Sequence, residues 1–176
     1  MSLTQQAIRA ADQGISITRM TEHDLLEVVE IEENSGLSRW GWEAYYAELQ
    51  GSNRQLMFVA RVAAAEPKQG SPKLAGYLVA RMGADELHIN NVAVRESYRR
   101  RGIGRALLER ILAEGMHRGV RYALLELRAG NSAALGLYEK CGFRITSRRN
   151  KYYSEPPEDA LVMIIELVRD AGAGED

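Results

Sequence analysis

The 176-residue chain carries 23 Lys and Arg against 24 Asp and Glu, a formal net charge of −1 at pH 7. A near-neutral chain has no general attraction to nucleic acid or to an anionic membrane, so any basic site must be local. Hydrophobic residues at 45% and charged residues at 27% are typical of a globular protein and exclude extensive disorder. The single cysteine excludes an internal disulfide and a cysteine-based metal site, and with no membrane-spanning apolar run we expect a soluble cytoplasmic protein.

Hydrophobic patterning predicts the order β-α-α-β-β-β-α-β-α-β-β, which is an α/β fold with a mixed central β-sheet flanked by helices on both faces. We expect one domain over 15–168, between a tail at 1–14 and a tail at 169–176, with an exposed loop at 64–72. Strands are predicted at 15–19, 56–62, 73–81, 87–94, 122–128, 143–148 and 160–167, and helices after 21, around 40–46, after 104 and at 131–142.

A turn rich in glycine and arginine, 99–105, follows the central strand and begins a helix. Gly102 and Gly104 allow a tight turn whose amide groups point outward, and the helix dipole adds positive potential there. Such a turn is suited to bind phosphate, and the surrounding arginines add mobile charge. The simpler interpretation is a solvated helix start with ordinary turn glycines.

Neither the dinucleotide pattern G-x-G-x-x-G nor the Walker pattern fits this turn. The turn instead resembles the acyl-CoA signature R/Q-x-x-G-x-G/A of the GNAT superfamily of N-acetyltransferases, supplied here by Arg99-Arg100-Arg101-Gly102-Ile103-Gly104. The predicted order of strands and helices is similar to that of the same superfamily over nearly all of 15–168. The resemblance implies the GNAT fold and acetyl-CoA as the cosubstrate.

Glu126 is unexpected because a strand that is covered by helices on both faces should be apolar throughout. One explanation is an ion pair with Arg128, two residues further along the same strand face. The other is catalysis, with Glu126 as a general base. Asn131 and Tyr138, about two turns apart on the next helix, share the face that begins beside Glu126. A backbone N–H near Val92 or Val94 is a candidate oxyanion donor.

Two runs, 125–143 and 149–163, resemble the GNAT branch that acetylates protein N-termini, including that of an alanine-initiated ribosomal protein. The resemblance implies that Glu126 is the proton acceptor, that Tyr138 is the proton donor, and that Tyr152 and Tyr153 grip the acceptor backbone from a hairpin loop. It also implies an acetyl-CoA site formed by Val92, Ala93, Val94, Arg99, Arg100, Arg101, Gly102, Ile103, Gly104, Arg105 and Asn131.

Several alternatives stay open at this point. His88 could serve as the base, although a core histidine explains it better, and Cys141 fits a packed thiol better than an acyl-carrying nucleophile. The aromatic cluster at 40–46 fits either core packing or a ligand groove. The expected activity is direct transfer from acetyl-CoA to a peptide α-amine in a ternary complex. The rivals are a small-molecule amine acetyltransferase and a non-catalytic acyl-CoA-binding module.

Overall fold

A computed structural model describes residues 14–37, 39–51, 54–62 and 74–167. The predicted loop at 64–72 and the predicted tails, except Gly14, lie outside the described residues. We number the elements β1 (Ile15–Arg19), α1 (Leu25–Glu33), α2 (Gly41–Leu49), β2 (Gln55–Val62), β3 (Leu74–Met82), β4 (Glu86–Val94), α3 (Ile103–His117), β5 (Tyr122–Arg128), α4 (Ser132–Lys140), β6 (Arg144–Ser154) and β7 (Pro157–Glu166), with short 3-10 turns at Glu22–Asp24 and Glu96–Tyr98.

The strands form one seven-stranded sheet in the order β1-β2-β3-β4-β5-β7-β6, which confirms the mixed α/β architecture. Only β4 and β5 pair in parallel among the described strands, and α3 makes the crossover between them. Alternate residues of β2 point to opposite faces: Met57 and Val59 join α1 and α2, whereas Leu56 and Phe58 join α3. The sheet therefore has a helical layer on each face.

The two central parallel strands stay together for only part of their length. Register pairs run from Glu86 with Tyr122 to Ile89 with Leu125, and none follows. At the same point β4 carries an extra residue, because Ile89 and Asn91 pair with consecutive residues of β3. A β-bulge bends its strand and increases the local twist. The bulge therefore accounts for the divergence of β4 from β5, which opens the sheet between them.

The β6–β7 hairpin differs from the prediction. We expected 143–148 as a short strand followed by a loop holding Tyr152 and Tyr153, but β6 runs to Ser154 and β7 begins at Pro157. The prolines misled the prediction because β7 can begin with a proline, whose missing N–H costs nothing at the first position of a strand. A register shift between Arg149 and Tyr153 nevertheless bends this end of the hairpin.

A buried polar cluster links the α1–α2 layer to the diverging part of β4. Glu32 is 1% exposed and accepts hydrogen bonds from the Trp40 and Gly41 amides and from the Tyr45 hydroxyl, at 2.8, 3.0 and 2.6 Å. The Tyr45 oxygen also accepts a hydrogen bond from Asn91 Nδ2 at 2.9 Å. Because the Tyr45 proton goes to Glu32, the nearby Tyr77 hydroxyl at 2.8 Å is the donor to Tyr45.

We expect Tyr45→Phe to destabilise the protein by about 1–3 kcal/mol, because it leaves two buried donors without their acceptor. The matched control is Tyr46→Phe on the same helix, where the ring stacks on Trp42. Urea unfolding measures both variants. Equal stabilities of the two variants would show that the buried cluster contributes nothing.

Candidate active site

The divergence of β4 and β5 forms a cleft of about 270 Å³. Its walls come from the segment after α1, from β4 at and beyond the bulge, from β5, from α4 and from the end of β6. Both predicted catalytic side chains, Glu126 and Tyr138, line this one cleft. They are joined there by His88, Asn91, Val92, Arg128, Asn131, Tyr152, Tyr153 and Trp40.

Glu126 is less buried than the sequence led us to expect. Odd-numbered residues of β5 are buried against α3, whereas Glu126 and its even-numbered neighbours are only half-buried. The reason is that α1 packs over β3 and β4 and α2 packs over β2, and neither of these helices packs over this face of β5. The side chain of Glu126 is 24% exposed, and it faces the cleft.

The alternative explanation of Glu126, an ion pair with Arg128, does not hold in the structure. Arg128 instead pairs with Glu158 on β7, at 3.2 Å, and donates to the carbonyls of Glu155 and Pro156. Glu158 also accepts a 2.6 Å hydrogen bond from the Gly130 amide, so it fixes the turn after β5. These contacts are long-range in sequence, and strand-face spacing alone could not reveal them.

The partner of Glu126 comes from the hairpin. Arg149 Nη1 lies 2.8 Å from Glu126 Oε1. Interaction with the Glu126 carboxylate, through hydrogen bonding first, raises the pKa of the Tyr152 hydroxyl. Burial, and next the charge of Glu126, raise the pKa of Tyr153. The hairpin therefore brings a cation and two phenols to the base of the cleft.

Tyr138 is held rigidly on α4. It is 8% exposed, and its ring makes an edge contact with Phe143 at a centroid distance of 5.9 Å. Burial, with the neighbouring Cys141 as the next cause, raises the pKa of Tyr138, so the phenol keeps its proton at neutral pH. Asn131 begins the same helix, and its Oδ1 accepts from the Ala134 amide at 3.1 Å, as the predicted cap requires.

The glycine-rich turn has an unusual backbone. Gly102 (φ +80°) immediately precedes α3, and Arg100 also has a positive φ of 64°. Left-handed residues among right-handed ones turn successive amide N–H groups into a concave surface that suits anions. A Cβ on Gly104 would lie 3.1 Å from Leu137 Cδ2, so a glycine there lets α4 approach the start of α3.

The arginines of this turn have different surroundings. Arg99 Nε donates to the Val94 carbonyl at 3.1 Å, and the Arg101 guanidinium lies 5.3 Å from the centre of the Tyr98 ring. Arg105 pairs with Glu109 at 2.6 Å. All of these contacts are exposed, and surface pairs of this kind exchange readily with a competing anion.

Backbone groups of β4 also face the cleft. The Arg95 amide donates to the Ala75 carbonyl of β3 at 2.8 Å. Backbone N–H groups alternate in direction along a strand, so the Ala93 N–H points to β3, as the Arg95 N–H does. The N–H groups of Val92 and Val94 point the opposite way, to the side from which β5 has diverged. The Ala93 side chain is buried in the core with α1 and α2, so it lies away from the cleft.

Two functional candidates were missed from the sequence. Arg149 gave no local signal, because its partner is 23 positions away in the chain and on another strand. Glu32 did give one: it follows Leu25 and Val28 at the spacing of the buried face of α1. An acid at such a position indicates a buried carboxylate with specific donors.

The described helices include none that is both long and apolar enough to span a bilayer.

In sequence, the chain is 40% identical over 97 residues to the ribosomal protein bS18-alanine N-acetyltransferase of Escherichia coli (strain K12). The matched region covers 54% of this chain and 66% of that protein. A Bacillus subtilis (strain 168) protein provisionally given the same name is 30% identical over 152 residues, which is 86% of this chain and 95% of that protein.

The crystal structure of the ribosomal-protein-S18-alanine N-acetyltransferase from Escherichia coli superposes with a TM-score of 0.74 at 30% identity, over 92% of this chain and 99% of that one. The fold expected from the sequence is thereby confirmed. Residues 25–143 match the sequence model of the family described as "Acetyltransferase (GNAT) family". This range includes the glycine-rich turn, Glu126 and Tyr138. The chain belongs to the acetyltransferase (GNAT) family.

Proposed function

We propose that the protein transfers the acetyl group of acetyl-CoA to the α-amine of a protein N-terminus, with an alanine-initiated ribosomal protein as the leading acceptor. The observation that carries this proposal is the convergence of Glu126, Tyr138, Tyr152 and Tyr153 on one cleft. The glycine-rich turn lies against α4, the helix that carries Tyr138, through the approach of Gly104 to Leu137. The Escherichia coli and Bacillus subtilis relatives, whose names specify an alanine of protein bS18, support this acceptor. A cytoplasmic location stays a prediction.

The turn before α3 fits the pyrophosphate of acetyl-CoA. Its concave backbone around Gly102 offers amide donors, and Arg100 and Arg101 are exposed and free to reach phosphate oxygens. The β4 edge between the turn and the bulge offers the N–H groups of Val92 and Val94 to an extended pantetheine arm. Asn131 keeps its side-chain NH₂ available for a further contact, because only its oxygen caps α4.

The acceptor ammonium must lose two protons to become an amide, and the departing sulfur takes up one. Glu126, directly or through water, accepts the proton of the acceptor ammonium, and the neutral amine attacks the thioester carbonyl carbon. A β4 amide donates to the oxyanion as the tetrahedral intermediate forms. The intermediate then expels the CoA thiolate as the C–S bond breaks, and the Tyr138 hydroxyl protonates the sulfur. The second proton of the nitrogen passes, directly or through water, to the Tyr138 phenolate, so that the net proton released stays on Glu126.

Direct transfer agrees with the state of the one cysteine. Burial, with the nearby Glu109 as the next cause, raises the pKa of the Cys141 thiol to about 11. A thiol that remains protonated at neutral pH is a poor nucleophile. An acyl-cysteine intermediate is therefore disfavoured, and the amine attacks acetyl-CoA itself.

The test of the acceptor is a panel of amines incubated with acetyl-CoA, with CoA release and product mass as readouts. The panel contains alanine-, serine- and methionine-initiated peptides, an N-terminally blocked lysine peptide and spermidine. We expect acetylation at the free α-amine of the alanine peptide and none of the blocked peptide. Transfer to spermidine alone would overturn the peptide acceptor, and CoA binding without transfer would indicate a binding module.

Glu126→Gln and Tyr138→Phe should each lower turnover by roughly 10²-fold or more, because each removes one proton-transfer group. Affinity for acetyl-CoA, measured by calorimetry, should stay unchanged. Glu166→Gln, an exposed acid at the opposite end of the β5–β7 pair, serves as the control. Full turnover by Glu126→Gln would move the base to His88 or to solvent.

Cys141→Ala should keep turnover within about twofold of wild type, because the thiol has no role in direct transfer. Mass spectrometry of the intact protein with acetyl-CoA alone should detect no acetylated Cys141. A stable acetyl-cysteine, or a variant without activity, would indicate a two-step mechanism.

A further inference from the structure

The acidic group at the base of the cleft is already occupied by a cation from the same chain. Arg149 and Glu126 are in contact at 2.8 Å, although the Arg149 side chain is 52% exposed to solvent. Arg149 also lies over the Tyr152 ring, 5.3 Å from its centre. An acceptor ammonium that approaches Glu126 Oε1 therefore competes with a guanidinium.

The contact between Arg149 and Glu126 largely determines the electrostatic potential in the cleft. Glu126 is the only acidic side chain among the residues that line the described cleft. The lining cation Arg128 is neutralised by Glu158 and by two carbonyls. Arg149 consequently cancels the one negative charge that an incoming amine would meet. The cleft is close to neutral with the pair closed and negative with it open.

The ion pair between Arg149 and Glu126 can open readily. It is partly solvated on both sides, and an ion pair of this exposure contributes little net free energy. Arg149 pairs with Ala160 of β7 and is the last regularly paired residue before the irregular stretch that ends at Tyr153. Because half of its side chain is already in solvent, a guanidinium displaced from Glu126 can move into water while the backbone pairing of Arg149 stays in place.

We propose that Arg149 is a specificity-determining residue: its guanidinium competes with the acceptor for Glu126 and thereby admits a peptide α-amine while rejecting polycationic amines. This inference rests on the proposed function. A peptide N-terminus offsets the displacement of Arg149 with backbone contacts to the hairpin tyrosines. A polyamine has no backbone to contribute, and its additional charges gain nothing from a neutralised cleft.

The test compares Arg149→Met with Arg144→Met, which removes the same charge from an exposed site at the far end of β6. Calorimetry on CoA-saturated protein gives the dissociation constants of the alanine-initiated peptide and of spermidine, and steady-state assays give kcat and KM. We expect Arg149→Met to tighten peptide binding by about threefold and spermidine binding by about tenfold, with Arg144→Met unchanged. Arg149→Gln should behave like Arg149→Met and provides a second neutral variant should one of them fold poorly.

Equal affinities in wild type and both Arg149 variants would overturn the proposal, as would tighter binding of the peptide and spermidine by the same factor. Weaker peptide binding by the variants would mean that Arg149 grips the acceptor instead of competing with it. The calorimetric comparison does not depend on turnover. A wild-type protein that acetylates none of the amines would therefore contradict the proposed function, while the binding ratio still tests Arg149.

Discussion

The separation of β4 from β5 is the constraint on which the site depends. Two parallel strands normally continue side by side, and their backbone groups satisfy each other. Here the bulge at Asn90 ends the pairing after Ile89, so the N–H groups of Val92 and Val94 face a cleft rather than a strand. The unpaired part of β4 thus behaves like an edge strand in the middle of the sheet. Its free N–H groups can bind an extended ligand.

The buried cluster around Glu32 gives this opening a fixed shape. It joins the Trp40 segment, which forms one wall of the cleft, to Asn91, the residue that follows the bulge. A buried carboxylate is costly without donors, and the two backbone amides and the Tyr45 hydroxyl supply them. The wall and the bulged strand therefore hold a common position, which links the stability of the α1–α2 layer to the geometry of the site.

Much of this molecule follows from local sequence patterns. The strand at 122–128, the cap by Asn131 and the helix that begins after Gly102 are in the structure as the alternation, capping and glycine signals predict. Glu126 was identified because an acid is unusual in an apolar strand. Tyr138 was identified because it shares a helix face with Asn131 and because of the resemblance to the GNAT superfamily. What could not be predicted depends on distant pairing. Arg128 with Glu158, Arg149 with Glu126, and the uncovered face of β5 all follow from which strands become neighbours.

The central claim is that one cleft receives acetyl-CoA from the glycine-rich turn and a peptide α-amine from the hairpin side. The most direct measurement is the affinity of a conjugate in which CoA sulfur is joined through an acetyl bridge to the α-amine of an alanine-initiated peptide. The account predicts binding at least about 10²-fold tighter than CoA alone, because the two sites would be occupied at high effective concentration. A conjugate that binds no more tightly than CoA, or no more tightly than one linked through a lysine side chain, would contradict it.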